Sequence, residues 1–500
     1  MKKFKSNRAI KKIKYIIFAS LLLLLNGNIN AQWQPEFRLT NNTGSSINCD
    51  LTSSGNSLYA VWSDYRAGGG QIYFKKSNDG GNSWGSDINI TNSMYGGNMP
   101  KVSVSGNDIH VIYFENNPTI STIAIYYKRS TDNGNTWEPA VRLSTNNNNT
   151  EKAYISSSGS MVYVIFLAQN VNPFQLFLRV SSDGGATWGP NINVSNETST
   201  LPNLSDITSS GLNVHIVSSA RMIPERDDII HLKSTNAGVS WLPYVILTND
   251  SSSFATSPSI SLSGNNIHTV WTDINGIGSQ IFYSRSSNGG SSFSNRNQLT
   301  FNSPQSSLRP DITSSGNNVH IAYDVGTGGI GNEVYYLRSI NSGVTFDSAF
   351  KVSTSNSGAK QPSVATAMSS VNIIWQDVRF GSLNEEIFYR KNLTGNPMNI
   401  RQIESEFPEG FTLSQNYPNP FNPSTKISFA LPSAGKVTLK VYDVLGKEVS
   451  SLVNNDLSAG SFEYNFNGSN LYSGVYFYKL EFFGNDGKFF TDQKKMLLVK

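Results

Sequence analysis

From residue 37 to residue 392 the chain is a succession of short runs in which apolar and polar residues alternate, bounded by Gly, Asn and Ser. Alternation at every second residue is the pattern of a strand with one face buried, and the bounding residues are turn formers. No helical 3.6-residue periodicity stands out after the N-terminus. The runs come in a fixed order. One follows P-x-[IV]-x-x-S-G, as in Pro258 to Gly264; a short alternating one follows, as in Ile267 to Trp271; a third reads I-[FY]-Y-x-[RK]-S, as in Ile281 to Ser286; a fourth is short, as in Gln298 to Thr300. Four antiparallel strands per unit, repeated, predict the blades of a β-propeller.

Between the third and fourth runs lies a turn motif, S-x-[D/N]-x-G-x-[ST]-[WF]. It starts at Ser77, Ser130, Ser181, Ser234, Ser286 and Ser339, at intervals of 53, 51, 53, 52 and 53 residues. Self-similarity at such a period marks a repeat architecture. The residue types explain the motif. The Ser and Asp side chains (Ser77 and Asp79, Ser130 and Asp132, Ser181 and Asp183) can bond local backbone N–H groups and fix a tight turn. The glycine, as at Gly81, allows a positive φ. The aromatic residue, as at Trp84, Trp137, Trp188 and Trp241, is expected to fold back onto the blade and bury apolar area. These positions read as structure, not as catalysis. The first three runs occur seven times, the last spanning Gln361 to Lys391; the fourth also occurs seven times, but its first copy, Phe37 to Thr40, precedes every motif. Joining that spare strand to the last unit would close a ring of seven blades with no open edge.

Residues 1–31 read as a signal peptide: seven basic residues from Lys2 to Lys14, an apolar run from Tyr15 to Leu25, and Ala31 before the cut. Removing them takes the formal charge from +4 to −3, so the basic pI carries no argument for nucleic acid. The mature chain has one cysteine, Cys49, which excludes an internal disulfide and a cysteine metal site. No histidine pair has ligand spacing and the turn motifs lack the carboxylate density of a calcium loop, so no metal or cofactor is expected. Glu225, Asp227 and Asp228 are the one acidic cluster, and read best as a solvated loop. His110, His215, His268 and His320 share one place in their second runs, which marks them as packing residues.

The repeat stops after Leu393. Residues 393–406 read as a linker, and 407–500 as a small β-sandwich of short alternating strands, immunoglobulin-like. Tyr417-Pro-Asn-Pro-Phe-Asn-Pro423, Asp443-x-x-Gly446, Ser473-Gly-Val-Tyr476 and the basic, apolar tail Lys494 to Lys500 carry a close resemblance to the C-terminal sorting domain of the type IX secretion system. That resemblance implies contact with the type IX machinery through 407–500, and release from, or attachment to, the outer surface of a Gram-negative bacterium.

The turn motifs resemble the Asp-boxes of the sialidase superfamily, over residues 32–392. In active sialidases, which have six blades, the resemblance implies three arginines clamping a substrate carboxylate, a tyrosine nucleophile with its glutamate, and an aspartate acid/base, all on the face opposite the boxes. Here that face should carry Asp64, Tyr65, Arg66, Glu115, Arg221, Arg226, Asp273, Arg309, Asp324, Asp377, Arg379, Glu385 and Glu386. The arrangement departs from the family's. Asp64-x-Arg66-x-Gly68 and Asp377-x-Arg379-x-Gly381 share one spacing, which suggests loop shaping, and Arg38 has a repeat equivalent in Arg142. The reading that follows is an all-β, exported, monomeric protein that binds a ligand, with a glycan as the natural guess, on Asp64, Arg66, Arg221, Arg226, Asp273, Arg309, Asp377 and Arg379, and does not turn it over. The alternatives are a sialidase-type glycoside hydrolase and a structural or adhesive surface protein.

Overall fold

The computed structural model describes residues 33–500 apart from 118–121, 145–149, 169–174, 198–200, 223–225, 249–253, 275–277, 302–304, 328–329, 356–357, 382–383, 394, 396–399, 405–407, 409, 434, 458, 469–470 and 485–486. The expected signal peptide lies outside the described residues. Among those described the chain is almost wholly β, with nine four-stranded sheets.

Seven of the sheets repeat one antiparallel meander. The first runs Ser46–Ser54, Ser57–Asp64, Gln71–Ser77 and Ile88–Asn89, from inner to outer strand. The inner strands of the next six are Gly97–Ser105, Thr150–Ser158, Leu201–Ser210, Thr256–Ser263, Ser306–Ser315 and Ala359–Ala367. Each inner strand packs against the next, and the seventh packs against the first, so the sheets form a closed cycle. Second strands such as Ser57–Asp64 and Ser370–Asp377 are buried nearly throughout. Both their faces are covered by neighbouring sheets, and the apolar clusters lie in the seams, as where Ile112 and Ile125 of the second sheet meet Val164 and Phe166 of the third. The outer strands pair over only two residues, as at Asn297–Gln298, and so are shorter than the sequence pattern suggests.

The seventh sheet is assembled from both ends of the ring. Phe37–Arg38 pairs antiparallel with Glu386–Asn392. Ahead of it, Trp33 stacks on Phe350 at 5.2 Å and edges onto Tyr336 at 5.3 Å, binding the N-terminal strand to the sixth sheet as well.

The turn motifs fold alike. In the third sheet Ser181 Oγ donates to Asp183 Oδ1 at 2.7 Å and accepts from Gly185 N at 2.8 Å, while Asp183 Oδ1 accepts the Thr187 N–H at 2.9 Å. Asn236 replaces the carboxylate in the fourth without changing the turn, accepting from Ser240 N at 2.9 Å. The aromatic residue corrects one expectation. It leaves its own sheet and packs on the third strand of the preceding one: Trp137 on Phe74 at 5.1 Å, Trp188 on Tyr127 at 4.9 Å, and Trp84 of the first sheet on Tyr389 of the seventh at 5.3 Å. The reason is the glycine. A Cβ on Gly81, Gly185 or Gly343 would sit 1.8 Å from the hydroxyl of Tyr389, Tyr127 or Tyr283, so only glycine lets the turn press flat against its neighbour. Each motif thus fastens one sheet to the last.

Two further sheets, Ile400–Glu404 with Gly460–Asn467, Ser424–Leu431 and Thr412–Leu413, and Glu448–Leu457 with Gly435–Tyr442, Gly474–Gly484 and Phe489–Leu498, form the C-terminal sandwich around Ile427, Phe429, Leu439, Tyr478 and Leu480. Its first strand corrects a boundary. Ile400–Glu404 lies in the stretch read as linker, where it pairs with Gly460–Asn467. The Tyr417 to Pro423 motif covers the end of the last strand, with Phe421 N donating to Leu497 O and Val499 N to Phe421 O.

Candidate functional site

The connections opposite the turn motifs hold the candidate residues, and the structure ties most of them to one another. Asp64 is fully buried. It accepts from Trp62 Nε1 at 2.9 Å, from Arg66 N at 3.0 Å and from the Arg66 guanidinium at 2.8 and 2.7 Å, and Arg66 lies over the Tyr73 ring, 4.2 Å from its centroid. Burial alone would raise the Asp64 carboxyl; the hydrogen bonds from Arg66 and Trp62 more than reverse that and hold it below the ordinary carboxylate range. The seventh sheet repeats the assembly. Asp377 accepts from Trp375 Nε1 at 3.2 Å and from Arg379 N and Nη2 at 2.9 and 2.6 Å, and Arg379 lies 3.9 Å from the Phe388 centroid with its other arm on Glu36. Gly68 and Gly381 both take positive φ to turn the chain after the arginine.

The fifth sheet builds the same corner from different parts. Asp273 is buried below Trp271, but its arginine is Arg296, from the segment after the turn motif, at 3.1 Å and 5.0 Å from the Phe282 centroid. Arg309 of the sixth sheet forks onto Asp324 at 2.9 and 2.6 Å, and Arg221 of the fourth meets Asp227 at 3.1 Å. Arg226 begins a strand, but its side chain, like Glu225, lies outside what is described. Asp228 is buried and accepts from Thr248 Oγ1 at 2.6 Å, so it belongs to the sheet and not to a solvated cluster. Glu386 is likewise buried, held by Arg38, Thr40 and the Asn42 N–H. Glu385 takes Gln376 Nε2, and the buried Glu115 carboxyl is raised by desolvation. The structure therefore brings the described arginines, Arg66, Arg221, Arg296, Arg309 and Arg379, each to a carboxylate of its own or an adjoining sheet.

Sequence reasoning missed the second feature of this region, the wall of the central channel. A cavity runs along the inner strands of all seven sheets. At one level each strand presents the residue just before its apolar core position (Leu51, Val102, Ile155, Ile207, Ile260, Ile312 and Val364): Asp50, Lys101, Tyr154, Asp206, Ser259, Asp311 and Ser363. Lys101 Nζ meets Asp50 at 2.7 Å. Asp50, Asp206 and Asp311 also accept the backbone N–H of the next inner strand, from Val102, Ile260 and Val364, at 2.9, 2.9 and 2.7 Å. Ser259 Oγ joins Asp206 at 3.0 Å and Asp311 at 3.4 Å, and burial pushes both carboxyls up to about 6. Lys101 is paired with Asp50, and its charge also acts against that rise at Asp206 and Asp311. The signal was available, since the position recurs once per repeat, but its polarity varies too much to register as a motif. Above this level every sheet has a register shift between its first two strands, and Asn48, Met99, Ser257, Arg309 and Gln361 take positive φ there. These bulges bend the strands at the channel mouth.

The four repeated histidines are buried in the seams. His110, His268 and His320 set Nδ1 2.7 Å from the hydroxyls of Tyr127, Tyr283 and Tyr336; His215 instead faces His231 at 3.1 Å. Among the described residues no group of three or more His, Cys, Asp or Glu could hold a metal ion.

Comparison with known proteins bears on both parts of the chain. A sequence search of curated proteins gives no match. Residues 415–491 match the secretion system C-terminal sorting domain. Among solved structures, a polysaccharide lyase described as an ulvan lyase bound to -[GlcA(1-4)Rha3S]- aligns with a TM-score of 0.50 at 10% identity, over 71% of this chain and 95% of that one. A protein from Dyadobacter fermentans aligns at 0.45 and 13% identity, over 71% and 98%, and the intramolecular trans-sialidase from Ruminococcus gnavus at 0.39 and 12%, over 72% and 97%. Likeness at such identities is likeness of fold. The chain is an all-β, propeller-type protein of repeated four-stranded sheets that shares its fold with that lyase, and its residues 415–491 match the secretion system C-terminal sorting domain.

Proposed function

We propose that this protein is exported through the type IX system and held at or released from the cell surface, where the face opposite its turn motifs binds a glycan without cleaving it. The sorting domain indicates the export route. One observation supports the non-catalytic part. Arg66, Arg296, Arg309 and Arg379 are each bound to a buried carboxylate of the fold itself, at 2.6–3.1 Å, and three of them also lie over an aromatic ring. An arginine that clamps a substrate carboxylate must have its fork available for it. Pulling one of these away would leave a buried carboxylate unpaired, a cost of about 3–5 kcal/mol for a fully buried pair and less here, where the arginines are partly exposed. A rigid ring presenting loops over a channel suits recognition. The test pairs a fluorogenic sialoside assay with glycan-array binding on the mature chain. Array binding with no turnover is the expected result; turnover lost in Arg309→Ala or Arg379→Ala would make it an enzyme, and silence in both assays would make it a structural surface protein.

A further inference from the structure

The binding role proposed above leaves the class of glycan open, and the loop-facing rim of the fifth sheet narrows it. We propose that the ligand is a neutral glycan and that it lies along Phe254, Ile274 and Phe301, inferring this from an exposed apolar rim set among charge-balanced neighbours.

Three side chains end the strands of this sheet on the loop side, exposed by 50% at Phe254, 44% at Ile274 and 76% at Phe301. Their places follow from the register. Thr256 pairs with Thr272, two residues from Phe254 on the first strand's side and two from Ile274 on the second's, and Phe254 bridges to Asp227 of the fourth sheet. Phe301 follows Thr300, whose hydroxyl accepts the Ile281 N–H at 2.9 Å and so fixes it beyond the third strand. With strands about 4.8 Å apart, the rim from first to fourth strand is about 14 Å long. The repeat supplies a control. The equivalent triplets are Ser45, Tyr65 and Asn92 in the first sheet, Ser306, Gly326 and Thr354 in the sixth, and Gly358, Val378 and Asn41 in the seventh. None of those is apolar throughout, so the fold does not require an apolar rim; two exposed phenylalanines here are an addition to it.

Exposed apolar stripes with polar flanks mark recognition sites. A sugar ring offers C–H faces for aromatic side chains and hydroxyls for the flanks. The polar flank is present: Phe254 bridges to the backbone of Asp227, whose carboxylate is paired with Arg221, and Asp273 beneath the rim is paired with Arg296. Both pairs can exchange hydrogen bonds with hydroxyls, yet each is charge-balanced, and the mature chain would carry a net −3. Among the described residues, Arg221 and Arg296 beside the rim are each paired with a carboxylate, which gives a uronate, sulfate or sialate little to bind there.

Affinity gel electrophoresis of the mature chain decides the matter, using a neutral β-glucan, a neutral galactomannan, alginate and polygalacturonate as probes. Retardation by a neutral probe is expected, weakened at least tenfold by Phe254→Ala and by Phe301→Ala, and unchanged by Val239→Ser, an exposed residue in a turn motif at the far end of the sheets. All three side chains are exposed, so unchanged thermal midpoints confirm that folding is untouched. Retardation by the anionic probes alone, or by a neutral probe equally in all variants, overturns the proposal while leaving glycan binding in place. Retardation by no probe overturns the binding reading itself, and a dimer on size exclusion that both phenylalanine variants dissolve would assign the rim to a second copy of the chain.

Discussion

Replacing Trp33 with alanine tests how the ring is closed. Trp33 is 8% exposed, stacked parallel on Phe350, edge-on to Tyr336, and 5.8 Å beneath the Arg390 guanidinium. Truncating a buried tryptophan to alanine costs about 3–5 kcal/mol, and a site near a chain end can relax, so about 3 kcal/mol is expected. The loss should propagate. Behind Trp33 the same strand carries Glu36, which holds Thr354 N at 2.9 Å and Arg379, and Arg38, which holds Glu386. If that strand seals the seventh sheet, loosening it exposes the edge of Glu386–Asn392, and a marginally stable domain with about 5–15 kcal/mol in hand feels such a loss. Urea denaturation followed by tyrosine and tryptophan fluorescence reads the change, with limited proteolysis locating it; cleavage between residues 33 and 46 should accelerate first. Phe37→Ala is the control, since Phe37 is 42% exposed on the same strand and should cost under about 1.5 kcal/mol. The reasoning fails if the two variants lose equal stability, or if Trp33→Ala loses less than about 1 kcal/mol.

Further expectations concern buried charge. His215 and His231 face each other in the seam of the fourth and fifth sheets, where Lys233 adds positive charge, and desolvation first, then those charges, lowers them to about 4 and about 3. The unfolded chain protonates them near 6.5, so each contributes stability that is present at pH 7 and falls away as pH drops below that value, by about 2 kcal/mol per histidine at pH 5. His231→Tyr would restore the histidine–tyrosine pair of the other sheets, and the slope of stability between pH 6.5 and 4.5 should fall by about one proton. In the channel, Lys101→Met removes the cation that pairs with Asp50 and whose charge also acts on Asp206 and Asp311, lowering stability at pH 7.5 by about 1–3 kcal/mol, discounted for its exposure. The deficit should shrink at pH 5, because Asp206 and Asp311 take up protons as pH falls through about 6; a deficit that grows on acidification would contradict the shared-lysine reading. In the first sheet, Trp84→Ala should lower the thermal midpoint as much as Tyr389→Ala does, and the double variant should cost less than the sum, since the two rings meet across the seam at 5.3 Å.

Much of the architecture was written in the spacing. The turn motif fixes where third strands end, and counting fourth strands against motifs shows that Phe37 and its neighbours must pair with the end of the repeat. What spacing could not show is any contact between sheets. In the sequence the aromatic of each turn motif reads as folding onto its own blade, whereas it lands on the one before, because a partner 61, 63 or 305 residues away leaves no local trace. The same holds at the candidate site. Asp64 and Arg66 are neighbours in sequence and their pairing was half visible as a repeated loop; the partner of Asp273, Arg296, follows a turn motif and gave no sign. The channel carboxylates escaped notice because Asp50, Asp206 and Asp311 are nearly 105 or 156 residues apart and alternate with Lys, Tyr and Ser. Ile400–Glu404 reads as linker in the sequence because five residues after a Pro- and Asn-containing stretch give too short an alternation to stand out.

The central claim is that Arg66, Arg296, Arg309 and Arg379 of the loop face are committed to the fold and do not clamp a substrate. Turnover of a fluorogenic sialoside by the purified mature chain, with Arg309→Ala and Arg379→Ala alongside, tests it most directly. The account predicts no turnover by the parent chain above that of buffer. Turnover by the parent that either substitution abolishes, in a protein whose thermal midpoint is otherwise kept, would contradict it.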